Sequence, residues 1–294
     1  MIEILLPLGL GFIMFSIGLG LRVNDFTRVI RQPLALGAGL INQLVLLPLV
    51  GAGLVLLYAN EPTYTAVFAL GIMALAACPG GITSNLLTVL GGGSAALSVS
   101  MTAISSLVGI ISVPLILGLS QGLLLGEAEA VALPLGQILG GVFGVTGVPI
   151  ALGMLLNHLF PQTSEAVRPS CRGLATGIFA VIVIGAFVGQ RETMVAHFLD
   201  IGPYVLALNV GTMALGLISA RLLRLDLADT VAIAMEGGLQ NVALAIFIAT
   251  TLLGLPEMVV PAILYALMMN LSAAALIAWS RAVARRRVRA GLMI

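Results

Sequence analysis

One carboxylate in this sequence stands where an isolated charge is hard to keep. Glu236 lies inside LADTVAIAMEGGLQNVALAIFIATTLL, a run apolar enough to sit within a bilayer. A lone charge at that depth costs about 2.5–3.5 kcal/mol on insertion scales, so a proton or a cation must offset it. The polar residues at similar depth favour a cation. Ser84 and Asn85 follow one Gly-Gly pair, and Gln240 and Asn241 follow another. Ser98, Thr102 and Ser105 recur at i, i+4 and i+7, which puts them on one helix face. Together they offer oxygen atoms, whereas transition metals usually recruit His or Cys. Sodium is the cation that fits. Taken singly, each Ser or Thr reads as a hydroxyl bonded to its own helix; it is the clustering with Glu236 that argues for ligands. A neutral, protonated Glu236 bonded to a neighbouring helix is the competing reading.

The breaks that bring these residues together are themselves informative. YTAVFALGIMALAACPGGITSNLLTVL and the segment around Glu236 both run apolar, then to a Gly pair (Gly80–Gly81, Gly237–Gly238), then to a polar knot ending in Asn. Pro79 removes a backbone donor, and paired glycines favour conformations that a helix cannot use. Interrupted helices at corresponding places in two halves point to a transport site. The first half of each interrupted helix ends in unpaired carbonyls that suit a cation. The second half begins near the midplane with free N–H groups and a positive dipole end that suit an anion. Central asparagines (Asn42, Asn209) echo one another between the second and seventh apolar segments. Segments five positions apart cross in opposite directions, so the repeat is expected to be inverted, with the first half one span short.

These elements must be held by a membrane-embedded scaffold. Of 294 residues, 60% are hydrophobic and 9% charged, with a mean hydropathy of +1.17. A soluble domain needs far more polar surface than that. The pattern predicts an all-α integral membrane bundle of nine spans, near 3–21, 33–58, 62–90, 95–119, 131–158, 173–190, 202–222, 227–253 and 256–280. All 13 basic residues are arginines. Arg22, Arg28, Arg31, Arg168, Arg172, Arg221, Arg224, Arg281, Arg285, Arg286, Arg287 and Arg289 fall on one side of such a bundle, and only Arg191 on the other. Glu61, Glu127, Glu129 and Glu257 gather with Arg191. Basic loops stay cytoplasmic, so the N-terminus is expected outside and the C-terminus inside. The N-terminal run carries Glu3 and no small-x-small site, and is read as a span rather than a cleaved signal.

Several classes are disfavoured. Cys78 and Cys171 are too few for a disulfide framework and are expected as free thiols, Cys171 in a cytoplasmic loop. His158 and His197 lie near span ends, and no HExxH, CxxC or GxSxG occurs. An enzyme would need a nucleophile–base pair or a metal triad, and a receptor of this size longer extramembrane segments. No nucleic-acid patch, obligate protein partner or cofactor is expected beyond Na+ as the coupling ion.

MFSIGLGLRVNDF, CPGGITSN followed by ALSVSMT, and EGGLQN resemble the bile acid:sodium symporter family over nearly the whole chain. That resemblance implies a panel domain (about 1–58 and 131–222), a core domain (about 62–119 and 227–280) in which two broken helices cross, and a basic cytoplasmic tail over 281–294. Bacterial members commonly have ten spans, and this chain reads as lacking the first. By position, the resemblance implies one sodium held by Ser84, Asn85, Ser98, Thr102 and Glu236. It implies another held by Gln43, Glu236, Gln240 and the carbonyls of Gly237 and Leu239; Gln43 sits five residues before Pro48, as in the family.

Asn241 matches a position that contacts substrate, and the substrate side would comprise Gly81, Ile82, Thr83, Asn241, Met269 and Asn270. Two departures touch that side. The family usually has Thr where Ile82 stands, and related bacterial proteins can carry His where Met269 stands. The expected function is Na+ symport of a small organic anion, a monocarboxylate such as pantoate or an oxo acid, by alternating access at a bacterial inner membrane. Proton coupling on the same fold is the alternative.

Overall fold

The computed structural model describes residues 2–26, 33–122 and 133–289, and among them every regular element is helical. Arg28, Arg31, Glu127, Glu129 and the side chains of Glu3, Arg287 and Arg289 lie outside the described residues, as does 290–294 of the expected tail.

Helix α1 covers Ile2–Gly18 and a short α2 covers Val23–Phe26. Long apolar helices follow as α3 (Pro33–Tyr58), α6 (Ala95–Ser120), α7 (Leu135–Leu159), α8 (Pro161–Ala196) and α9 (Phe198–Leu222). The last, α12, spans Val259–Arg289 after a 3-10 turn at Pro256–Met258. Among the described residues six helices are long and apolar enough to cross a membrane, as a chain this hydrophobic requires when every backbone group must be satisfied internally. Between them sit two pairs of shorter helices: α4 (Ala66–Ala77) with α5 (Ile82–Leu90), and α10 (Leu227–Gly238) with α11 (Val242–Leu252). Helical hydrogen bonding is interrupted at 78–81, which contains the first Gly pair, and at 239–241, just after the second, so Gly237 and Gly238 close α10 rather than break it.

Local chemistry sets the element starts. The side chains of Thr65, Ser94 and Asp226 cap α4, α6 and α10 by accepting from the N–H three residues on. Two of the long helices widen into a π turn, at Asn42–Leu46 in α3 and Phe143–Gly147 in α7. Pro48 and Pro149 follow these turns at the same offset. A proline ring collides with the carbonyl four residues back and donates nothing to it, and a widened turn relieves that collision.

Two departures from the sequence reading concern α8. The span expected at 173–190 is the middle of a helix that begins at Pro161 and bends at Gln190, where φ is −117° and ψ 16°. Cys171, expected in a loop, lies on this helix, because the polar stretch through Arg168 and Arg172 continues the helical ladder rather than ending it. Both cysteines are free thiols.

Packing gathers the helices into two neighbourhoods that touch each other, α8 packing also on α12 and α7 on α6. α9 lies along α10 and also touches α3 and α12, while α4 packs on α3, α6 and α12. A Cβ on Gly216 would come within 2.9 Å of the Ala234 Cα, so α9 and α10 nearly meet backbone to backbone. In the other neighbourhood α1 packs on α7 and α8. There Gly18 fits against the Ile150 carbonyl and Gly153 against that of Phe15. Small residues permit such contacts where lipid offers no hydrophobic drive for association. At the helix ends, the Arg221 guanidinium lies over the Trp279 ring, and Arg281 donates to the Leu90 carbonyl at 3.1 Å.

Candidate functional site

The two interruptions meet. Gly80 and Gln240 form an antiparallel main-chain bridge. The Gly81 N–H donates to the Leu239 carbonyl at 3.0 Å, and the Asn241 N–H to the Pro79 carbonyl at 2.8 Å. Carbonyls and N–H groups freed by breaking one helix are thus partly satisfied by the other. Gly80 is required by this closeness, since a Cβ there would collide with the Glu236 carboxylate. A Cβ on Gly81 would fall 2.9 Å from the Gln240 carbonyl oxygen.

Glu236, fully buried on the last turn of α10, aims its carboxylate into this crossing. Thr102 on α6 donates to its Oε1, and Ser98, one turn earlier, lies 3.1 Å from Oε2. Ser98 Oγ also reaches Asn85 Oδ1 at 2.9 Å, and Asn85 Nδ2 donates to Thr102 Oγ1 at 3.3 Å. Ser84 interacts with the same carboxylate, while its hydroxyl donates to the Gly81 carbonyl at 2.8 Å. All five of these side chains are buried.

This cluster has more lone pairs than protons. Ser98 has one hydroxyl proton for two acceptors, the Glu236 carboxylate and the Asn85 amide oxygen. Thr102 likewise has one for Glu236 and for the Ser98 carbonyl. An ionised carboxylate adds acceptors and no donors. Hard oxygens in excess, around one negative charge and away from bulk water, fit an alkali cation by their donor chemistry. Among the described residues no group of three or more His, Cys, Asp or Glu could hold a metal ion.

On the other side of Glu236, the π turn of α3 presents Gln43. Its Nε2 donates to the Cys78 carbonyl at 3.1 Å and to Gln240 Oε1 at 2.7 Å. Gln240 Nε2 in turn donates to the Gly237 carbonyl at 2.9 Å. Gln43 Oε1 is buried without a hydrogen-bond donor. Gln43, Gln240 and the Gly237 carbonyl thus form one hydrogen-bonded chain, while the Leu239 carbonyl accepts from the Gly81 N–H across the bridge.

The residues expected on the substrate side are not all gathered. Gly81 and Ile82 are buried at the start of α5, and Thr83 is half-buried beside them. Asn241 caps α11: its Oδ1 accepts from the Leu244 N–H at 3.1 Å, and its Nδ2 faces the Met14 sulfur on α1 at 3.9 Å. Met269 is buried on α12 one turn past Tyr265. Asn270 is exposed and bonded to its own helix at the Ala266 carbonyl. Ser105, third in the polar stripe, bonds back to the Thr102 carbonyl and takes no part in the cluster. The sequence reading assigned no role to Tyr265, which donates to the Gly238 carbonyl at 3.0 Å, or to Met14. An aromatic or a methionine inside an apolar run carries no signal that separates it from ordinary core.

Comparison with known proteins points to one family. The chain matches the Sodium Bile acid symporter family over residues 7–197. It is 32% identical over 280 residues to the sodium-dependent transporter YocS of Bacillus subtilis, covering 95% of this chain and 84% of that one. It is 30% identical over 273 residues to the probable chloroplastic sodium/metabolite cotransporter BASS2 of Oryza sativa, covering 92% of this chain and 62% of that protein. With the human ileal sodium/bile acid cotransporter it shares 28% over 237 residues, 80% of this chain and 66% of the other. These relatives are transporters rather than enzymes.

Proposed function

The chain belongs to the sodium bile acid symporter family of integral membrane proteins, and from that membership we propose that it couples the inward movement of Na+ to uptake of a small organic anion. The observation that carries this reading is Glu236, buried among Ser84, Asn85, Ser98 and Thr102 where two interrupted helices meet. One sodium would be held by those five side chains. A second would be held by Glu236, Gln43, Gln240 and the carbonyls of Gly237 and Leu239. Two cations sharing one carboxylate repel each other, so any positive coupling between them would come from the first ion ordering the ligands that the second also uses.

The anion would bind at the N-terminal end of α5, with Gly81, Ile82, Thr83 and Asn241, and Met269 and Asn270 would join it on the strength of the resemblance alone. At the start of α11 the Asn241 side chain already accepts from an N–H. Gly81, the residue before α5, has no side chain to do the same, which leaves that dipole end open to a carboxylate. A small monocarboxylate such as pantoate or an oxo acid fits this site. Carrying one such anion with two Na+ moves one net positive charge inward, worth about 2.3 kcal/mol per 100 mV.

The mechanism is alternating access across nine spans that form an inverted repeat, with the N-terminus outside and the C-terminus in the cytoplasm of a bacterial plasma membrane. The packing favours a panel narrower than 1–58 and 131–222: α1, α7 and α8 would form it, with α3 and α9 moving in the core beside α10 and α12. The reading is tested by thermal unfolding of the purified protein with small carboxylates, with and without Na+. Sodium alone should raise the midpoint and a cognate acid should add to it, since a ligand stabilises only the state it binds. A response that ignores sodium would defeat it.

A further inference from the structure

A buried polar group next to the second proposed sodium place belongs to neither ligand set. Asn209, at the middle of α9, is fully buried. Its Nδ2 donates to the Gly238 carbonyl at 2.6 Å. A carbonyl can only accept, so the amide cannot be turned end for end, and Oδ1 must point away from it. That oxygen has no hydrogen-bond donor. Gly238 is the last residue of α10, and its carbonyl also accepts from the Tyr265 hydroxyl at 3.0 Å. The same hydroxyl interacts with the side chains of Asn209, Thr212 and Gln240, and Gln240 is bonded to Gln43. The second break is therefore walled from α9 and α12 as well as from α3. It contains two buried amide oxygens without donors, Gln43 Oε1 and Asn209 Oδ1.

We propose that Asn209 supplies a further oxygen ligand to the cation at the second break, with its amide oriented by the Gly238 carbonyl and by Tyr265. The inference rests on the sodium reading of the site, and nothing in the family resemblance assigns Asn209 a part. A buried amide oxygen without a donor calls for a partner, and an alkali ion beside Gln43 and Gln240 would supply one. It also gives α9 a direct link to the ion, so the helix lying along α10 would respond to occupancy.

The test is a sodium titration of purified protein in nanodiscs, with K+ holding the ionic strength, read as bound radioactive sodium and as the thermal-unfolding midpoint. Wild type should titrate with a slope approaching two. Asn209→Ala should raise the half-saturating sodium about ten- to hundredfold, the range for loss of a group that supports a metal site, and bring the slope toward one. Asn209→Asp keeps an oxygen but loses the Nδ2 donor to the Gly238 carbonyl, and its half-saturating sodium should fall between those of wild type and Asn209→Ala. Tyr265→Phe removes an orienting donor but no amide oxygen, and should give a smaller rise than Asn209→Ala.

If Asn209→Ala lowers the midpoint equally at every sodium concentration, with the half-saturating value unmoved, the residue is only structural and the proposal is overturned. Should the alanine variant fail to fold, sodium titrations of both Asn209→Asp and Tyr265→Phe that match wild type overturn it instead. Glu236→Gln separates this failure from that of the premise. Sodium binding lost in Glu236→Gln but unaltered in Asn209→Ala removes the role of Asn209 alone, whereas a flat wild-type titration removes both.

Discussion

Thr102 on α6 donates a hydrogen bond to the carboxylate of Glu236 on α10, joining side chains 134 positions apart at the crossing of the two interrupted helices. Each end of this bond depends on the other. The hydroxyl has little else to do at that depth except bond back to its own helix, and the carboxylate has no counter-charge among the side chains gathered around it.

Replacing Glu236 with Gln keeps the shape and removes the charge. Sodium binding to purified protein is expected to fall to background, and uptake into proteoliposomes to lose its sodium stimulation. Thr102→Ala removes one oxygen and spares the charge. Its half-saturating sodium should rise about tenfold, as for loss of one group supporting a metal site. Equal titrations for Thr102→Ala and wild type would take Thr102 out of the ligand set.

Exchange of Na+ for K+ at fixed pH distinguishes the two ways of offsetting the Glu236 charge. With sodium as the offset, the unfolding midpoint falls on exchange and recovers on adding Na+ back. A proton as the offset predicts no change on exchange and a strong dependence on pH instead. The surplus of lone pairs over protons around Ser98 and Thr102 favours the first outcome.

Gly80→Ala tests the crossing itself. The added methyl would land on the Glu236 carboxylate, so either the main-chain bridge or the ligand cluster must shift. Overpacking of this kind typically costs about 1–3 kcal/mol. The expected result is a lowered unfolding midpoint that sodium no longer raises. Gly211→Ala is the control, because a Cβ there meets nothing within 4 Å, and its midpoint and sodium response should match wild type.

Much of this arrangement is legible in the sequence, for identifiable reasons. Apolar runs report spans because lipid tolerates little else, and Pro79 with the Gly pairs reports the breaks to within a few residues, the first pair lying in its interruption and the second ending α10 just before the other. Glu236 is conspicuous for being acidic inside such a run. What local pattern cannot supply is partnership. Nothing near Gln43 announces that its amide meets Gln240, 197 positions away, and only the family resemblance directed attention to it. Nor does Ser105 differ in pattern from Ser98, although one turns to its own helix and the other to Glu236. The start of α8 is missed for the opposite reason. Hydropathy marks the slab a helix crosses, and the Arg168–Arg172 stretch extends the helix beyond that slab.

Pro48 offers the last test, because it acts on the second cation place without touching it. The proline comes just after the π turn Asn42–Leu46, and that turn holds Gln43 between the Cys78 carbonyl and Gln240. With alanine in its place, the donor is restored and the collision with the carbonyl four residues back is gone, so regular α-helical bonding becomes available. Removing the extra residue from the turn rotates the N-terminal half of α3 by about 100° relative to its C-terminal half, which swings Gln43 out of register with Gln240. Pro48→Ala should therefore leave the Ser98–Thr102–Glu236 cluster able to bind one sodium while the second is lost, and the sodium dependence of stability should become shallower. Pro149 stands at the same offset from the π turn of α7, but it faces Gly11 of α1 rather than the crossing. Pro149→Ala should leave the sodium titration unchanged. Identical effects of the two substitutions on that titration would mean that the π turn of α3 has no special bearing on the ion.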